Sequence, residues 1–148
     1  MQHPLYVVGS GFEELDGQSF TVPTHRAVHD AIRAAGGLDA FTQMMRQAEA
    51  HFGSGDNATL AASRHFVQVV LDAAGEFIGP AVTELAVSPL PVAGEADVRS
   101  YCRGVVAAMV RMDLTRQLGE ARAALSRMNE EDPQYSEVFR SLMRLEQR

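Results

Sequence analysis

The sequence predicts an all-α fold: an N-terminal helical bundle over residues 1–113, then a long helix leading into a C-terminal helical hairpin over residues 114–148. Three observations predict it. Residues 95–129 contain no breaker stronger than glycine and read as one continuous helix, in which Gly104 and Gly119 each cost about 1 kcal/mol relative to alanine. Elsewhere, apolar residues recur at three- and four-residue spacing, with Pro and Gly where helices would start and stop. No segment alternates with period two long enough to form a sheet; Phe20-Thr21-Val22 and Leu85-Ala86-Val87 are too short.

Residues 1–11 hold Pro4, the apolar run Leu5-Tyr6-Val7-Val8 and then Gly9-Ser10-Gly11, the pattern of a helix end and a turn into the next helix. So abrupt a start implies that Met1 is not a natural N-terminus. Pro23 opens a helix with Ala27, Val28, Ala31, Ile32 and Ala35 on one side, and Gly36-Gly37 ends it by supplying a left-handed cap. The next helix, about residues 38–51, packs through Phe41, Met44, Met45 and Ala48, and Gly53 to Asn57 is a flexible connection. Phe66, Val67, Val69, Val70 and Leu71 mark a helix over 63–74 buried on most sides, followed by a short one over 76–87. Ser88-Pro89-Leu90-Pro91 then forbids helix and forces an extended crossing.

In the long helix Val98, Cys102, Val105 and Met109 form the bundle-facing stripe. It continues into a seam of Leu114, Leu118, Ala121, Leu125 and Met128, the three- and four-residue spacing of a helix that packs on a partner. Asp132 is the expected N-cap of the returning helix and Pro133 its first residue, with Tyr135, Val138, Phe139, Leu142 and Leu145 as the matching stripe. Each arm covers only one face of the other, which leaves a face for a binding partner. Gly119 suits a bend between bundle and hairpin.

A chain of 148 residues suits one domain that buries roughly 68–70% of its unfolded surface without metal or disulfide. The single Cys102 can form no internal disulfide, and with no signal-like start and no apolar run near the roughly 20 residues that span a bilayer, a soluble cytoplasmic protein is expected. All 13 basic residues are Arg, more simply explained by GC-rich codon usage than by Arg-based recognition. Residues 1–98 hold 4 Arg against 12 acidic groups, and residues 99–148 hold 9 Arg against 7. The net charge of −6 argues against duplex DNA as a partner, because that affinity rests on neutralised phosphates.

Catalytic and metal chemistry find little support. His25 and His29 stand four apart on a helix, with Asp30 or His51 as further ligands, but zinc needs three or four ligands at fixed geometry, and two half-exposed histidines are the simpler expectation. Gly9-Ser10-Gly11 lacks the third glycine of a dinucleotide fingerprint. Cys102 has no activating His beside it and reads as a buried, inert thiol. Glu13, Glu14 and Asp16 fall in a solvated loop. Met109, Met112, Met128 and Met143 fit either an adaptable surface or ordinary core filling.

Several segments carry a family resemblance by their order and spacing. They are Met1-Gln2-His3-Pro4, Phe20-Thr21-Val22-Pro23, Ala27-Val28-His29-Asp30-Ala31-Ile32, Ala34-Ala35-Gly36-Gly37 and Glu84-Leu85-Ala86-Val87. In the tail they are Leu114-Thr115-Arg116-Gln117-Leu118, Leu125-Ser126-Arg127-Met128 and residues 135–145, which match best. Taken together they resemble the C-terminal helicase-binding domain of bacterial replicative DNA primase (DnaG) of the actinobacterial type.

The resemblance implies a bundle that modulates the ring-shaped replicative helicase (DnaB) and a hairpin that docks on its N-terminal domains, recruiting primase to the replication fork for primer synthesis. Zinc-binding and polymerase modules lie upstream in that family, so no catalytic residue, metal or cofactor is expected in this piece of an otherwise enzymatic chain. The C-terminal tail of single-strand-binding protein is a second partner in some relatives. No residues are carried over for it, because most of the first helix precedes Met1, and residues 53–60 read as an insertion. The surplus of Arg over acidic groups in residues 99–148 and the hairpin's apolar residues on more than one face make Arg127, Met128, Tyr135, Phe139, Arg140, Met143 and Arg144 the candidate helicase-binding residues, with Val138 and Leu142 in the internal seam. Deleting residues 116–148 is then expected to abolish helicase binding and leave a folded bundle. The alternatives are a ligand-binding helical domain of a bacterial transcriptional regulator, which needs a cavity of some hundreds of Å³, and a metal-binding bundle, which needs Glu-x-x-His pairs on facing helices.

Overall fold

A computed structural model describes residues 2–129 and 131–147, and among these the secondary structure is helical with no strand. Six α-helices follow in order: α1 (Pro4–Val7), α2 (Pro23–Ala34), α3 (Gly37–Phe52), α4 (Asp56–Val87), α5 (Glu95–Leu125) and α6 (Tyr135–Glu146). Two 3-10 turns, Phe12–Glu14 and Gly17–Ser19, lie between α1 and α2.

Helices α2, α3 and α4 form the bundle. Pro23 opens α2 from an extended Val22, and Gly36 and Gly37, at φ 91° and 63°, turn the chain directly into α3. That left-handed turn is the one anticipated, and an added Cβ at Gly36 would also lie 2.9 Å from the Ala40 methyl. The core is built on Phe41 and Phe66, fully buried and edge-to-face at 5.6 Å, with Val28, Ala31 and Ile32 of α2 and Val70 and Val82 of α4 around them.

Helix α4 begins at Asp56, seven residues before the expected start at 63, and Ala58 and Ala62 in the added turns are fully buried. Gly75, at φ 66° and ψ −173°, breaks it into the two arms that the sequence separates at 74 and 76. By length and composition α4 is long and apolar enough to cross a membrane, which the shorter apolar runs in the sequence did not suggest. Its break at Gly75 and its share of the bundle core make it a packed helix of this fold.

The N-terminal segment straps the bundle to α5. The Gln2 amide donates to the carbonyls of Leu85 (3.1 Å) and Ser88, and the Tyr6 hydroxyl donates to Glu95 Oε1 at 3.2 Å. Arg99, paired with Glu95 at 3.1 Å, lies over the Tyr6 ring at 5.1 Å. Helix α5 runs unbroken past residue 111, as expected. Its bundle side is turned slightly from expectation: Val106 is buried, whereas Val105 is 41% exposed and Cys102 only half-buried. The cause is that α5 meets the strap, not α2–α4 alone.

A polar node fixes α5 against that strap. Asp113 is 6% exposed, and its two carboxylate oxygens accept from Arg116 and from the Gln117 amide, each at 2.6 Å. The same guanidinium reaches Glu120 at 3.0 Å, Gln18 Oε1 at 3.3 Å and Asp16 at 3.6 Å. Asp16 caps the second 3-10 turn through the N–H groups of Gln18 and Ser19. Partial burial pushes its carboxyl up, but these two donors, the Ser19 hydroxyl and Arg116 bring it below the usual value. The hydrogen bond to Asp113, with that to Glu120, raises Arg116 further above its already high value.

His29 is 2% exposed, not half-exposed, because the Phe12 and Phe20 rings cover it at 5.7 and 4.6 Å. Burial lowers its pKa below 6.5, against the opposing pull of Asp30. The neutral form is therefore favoured in the fold, so stability is complete above pH 6.5 and declines as pH falls below it. Thermal melting followed from pH 7.5 down to about pH 5 should show this decline, and His29→Leu should flatten it. Arg116→Ala strands a buried carboxylate and should lower unfolding free energy in urea by about 2 kcal/mol or more. Arg116→Lys should recover only part of that loss.

Candidate interaction surface

The hairpin closes through side chains rather than caps. Leu114, Leu118, Ala121, Leu125 and Met128 are half-buried, facing half-buried Tyr135, Val138 and Leu145 and the buried Leu142. Helix α5 ends at Leu125, four residues earlier than expected, and α6 takes Gln134, not Asp132, as its N-cap. Asp132 uses its carboxylate to accept from Gln134 N–H at 2.9 Å, and its carbonyl accepts from Tyr135 N–H at 2.9 Å. Asp132-Pro133 is thus a turn that precedes the helix. Arg122 and Glu146 pair across the hairpin at 2.9 Å, both solvated.

Phe139 leaves the seam: it is 45% exposed and stacks on Tyr135, the rings 6.4 Å apart and nearly parallel at 6°. Beside it, Glu137, Arg140, Met143 and Arg144 line an open groove on α6. Of the seven candidate residues, Arg140, Met143 and Arg144 meet in that groove, and Tyr135 and Phe139 lie together at the start of the same helix. Arg127 and Met128 belong to the turn after α5 and do not line it; Arg127 is exposed and Met128 half-buried. Among the described residues Arg127, Arg140 and Arg144 form no ion pair. Glu137 was not singled out from sequence, although its place one turn before Arg140 on the polar side of α6 was the available signal.

No group of three or more His, Cys, Asp or Glu among the described residues could hold a metal ion, and His25 is exposed while His29 is enclosed by rings. Cavities of about 250, 300 and 200 Å³ lie beneath the strap, all bordered by Phe12 and Ile32. They reach only the low end of small-molecule sites and open between strap and bundle rather than inside it.

A bundle that holds out a two-helix arm with unpaired guanidiniums and an exposed aromatic ring is a helical interaction domain. The chain belongs to the family described as DNA primase DnaG DnaB-binding, whose profile matches residues 1–137. It is 28% identical over 148 residues to a DNA primase of Mycobacterium leprae (strain TN), covering 99% of this chain and 20% of that protein. It is similar in fold to the helicase binding domain of primase from Mycobacterium tuberculosis, with a TM-score of 0.66, 24% identity, and coverage of 99% of this chain and 80% of that one. The chain thus spans about a fifth of the length of its primase relative, and the family match stops inside α6, before Phe139.

The seam and the surface pair make opposite demands on stability. Leu142→Ala should cost about 2–4 kcal/mol, read as loss of helicity and an earlier urea transition, whereas Arg122→Ala should cost no more than about 0.5 kcal/mol.

Proposed function

We propose that this chain is the part of a replicative DNA primase that docks on the N-terminal domains of the replicative helicase and so brings primase to the fork in the cytoplasm. Residues 1–113 serve as the supporting bundle and residues 114–148 as the docking hairpin. The family match over residues 1–137 carries this reading. The hairpin supports it physically, because α6 packs chiefly on α5 and leaves Phe139, Arg140 and Arg144 exposed on its other side. The same reading makes the piece a binding domain without catalysis or cofactor, and the charge of −6 sets duplex DNA aside.

The node around Arg116 decides where to cut the chain. Deleting residues 116–148 would remove the partner of buried Asp113 and the link to Asp16, so the bundle itself would suffer. Removing residues 122–148 keeps Arg116, Gln117 and Glu120 in place. That shortened chain should still melt cooperatively by circular dichroism and yet fail to co-elute with the cognate helicase on a sizing column. Undiminished binding by it would move the docking site to the bundle and overturn the assignment.

A further inference from the structure

The arginines of the C-terminal half fall into two kinds. Arg99, Arg116 and Arg122 each have a carboxylate, at 3.1, 2.6 and 2.9 Å. Arg140 and Arg144 have none among the described residues. Arg140 Nε donates to the Ser136 carbonyl at 3.1 Å and Arg144 donates to Ser141 Oγ at 3.2 Å, bonds within α6 that aim the side chains without neutralising them. Standing four residues apart, the two cations share a face with about 5–6 Å between their Cβ atoms. Met143 lies in the same groove, and Phe139 presents its ring one turn before it.

The geometry points to an acidic, amphipathic helix as the occupant of this face. It sets an apolar side chain on Met143 and Phe139 and reaches Arg140 and Arg144 with two carboxylates one turn apart. The inference rests on the helicase-docking reading and adds the chemistry of the surface that is met. Carboxylates at helical spacing match guanidiniums at helical spacing, and guanidinium–carboxylate pairs are the stronger kind of charged hydrogen bond. Glu137, also without an ion pair among the described residues, borders the groove one turn before Arg140. It repels a third carboxylate there and so fixes the direction in which the acidic stretch can lie. At longer range, residues 1–98 carry 12 acidic groups against 4 Arg, whereas 6 Arg balance 6 acidic groups in residues 114–148, so an acidic partner is repelled by the bundle and not by the hairpin. A nucleic-acid strand is the less suitable occupant, since Met143 and Phe139 offer apolar contact and Glu137 repels phosphate.

The test titrates the whole chain against the cognate replicative helicase at about 50 and about 500 mM NaCl, where screening differs strongly. Wild-type Kd should weaken about tenfold or more with salt, and Arg140→Ala/Arg144→Ala should weaken about tenfold or more at low salt while losing most of its salt response. Arg103→Ala/Arg111→Ala removes two α5 guanidiniums that also lack ion pairs among the described residues, and should stay within about twofold of wild type at both salts. Glu137→Gln should bind more tightly. Circular dichroism of each variant confirms the fold. Salt-independent wild-type binding, or wild-type affinity in the Arg140/Arg144 double variant, overturns the acidic occupant while leaving helicase docking intact. No binding by the wild-type chain removes the docking reading and this inference with it. Capture of a single-stranded oligonucleotide that the double variant abolishes, with helicase binding unaffected, assigns the guanidiniums to phosphate and overturns the proposal.

Discussion

The buried carboxylate of Asp113 is the constraint on which the placement of the hairpin depends. An ionised carboxylate withdrawn from water is tolerable only when both oxygens are satisfied, and here each accepts one short bond, from Arg116 and from Gln117. These partners lie on the same helix, so the carboxylate alone would fix nothing beyond its own turn. What makes it structural is that Arg116 continues to Asp16 and Gln18 on the strap. Rotating α5 about its axis would carry Arg116 off the strap and expose the satisfied pair to separate hydration. Because α5 has no break between this node and Leu125, the rotation fixed at residue 116 also sets the side on which α6 is held.

The two ends of the molecule hold together by different means. The bundle has an aromatic pair and ten mutually packed buried residues drawn from three helices. Among the described residues of the hairpin only Leu142 of α6 is buried, and the rest of the seam is half-covered. A helix of 12 residues is marginal in isolation, so α6 exists by virtue of that seam. Local opening free energy follows buried apolar contact, which puts α6 at the low end and the α2–α4 core at the high end. Under the proposed docking, an element poised this way would gain order when its second face is covered, and its seam residues would contribute to binding without touching the partner.

Much of this was legible in the sequence, and the misses have specific causes. Pro23, Gly36-Gly37 and the proline crossing after Val87 mark helix ends by backbone restriction alone, so those boundaries were read within about one residue. Gly75 was likewise legible as a break. The start of α4 was not, because its buried residues there are the small Ala58 and Ala62, while the one large apolar residue of that stretch, Leu60, is exposed and registers no buried stripe. Asp132-Pro133 carries a strong start signal, yet the Asp side chain serves the turn instead, a competition that only three-dimensional context decides. The seam was visible as spacing. Phe139's departure from it was not, since a residue at the margin of an apolar stripe can face either way. The Asp113–Arg116 pair was present at three-residue spacing, but nothing local says that such a pair is buried, and burial is what gives it weight.

The all-arginine composition takes on a different meaning at different positions. On the solvated pair with Glu146, lysine would serve about as well, and codon usage suffices as the reason. At 116 it does not. One terminal nitrogen serves Glu120 and Gln18 while the other serves Asp113 and Asp16, four acceptors spread around a planar fork. An ammonium has three donors converging on one atom and cannot span from the interior of α5 to the strap. At 140 and 144 the guanidinium has no carboxylate among the described residues, only a bond within α6 to Ser136 or Ser141, and under the proposed docking its value lies in meeting a carboxylate supplied from outside. The same side chain therefore fastens α5 to the strap at 116 and stands without a carboxylate at 140 and 144, and it is the placement of these last two beside Met143, rather than the mere lack of a partner, that separates them from Arg103 and Arg111.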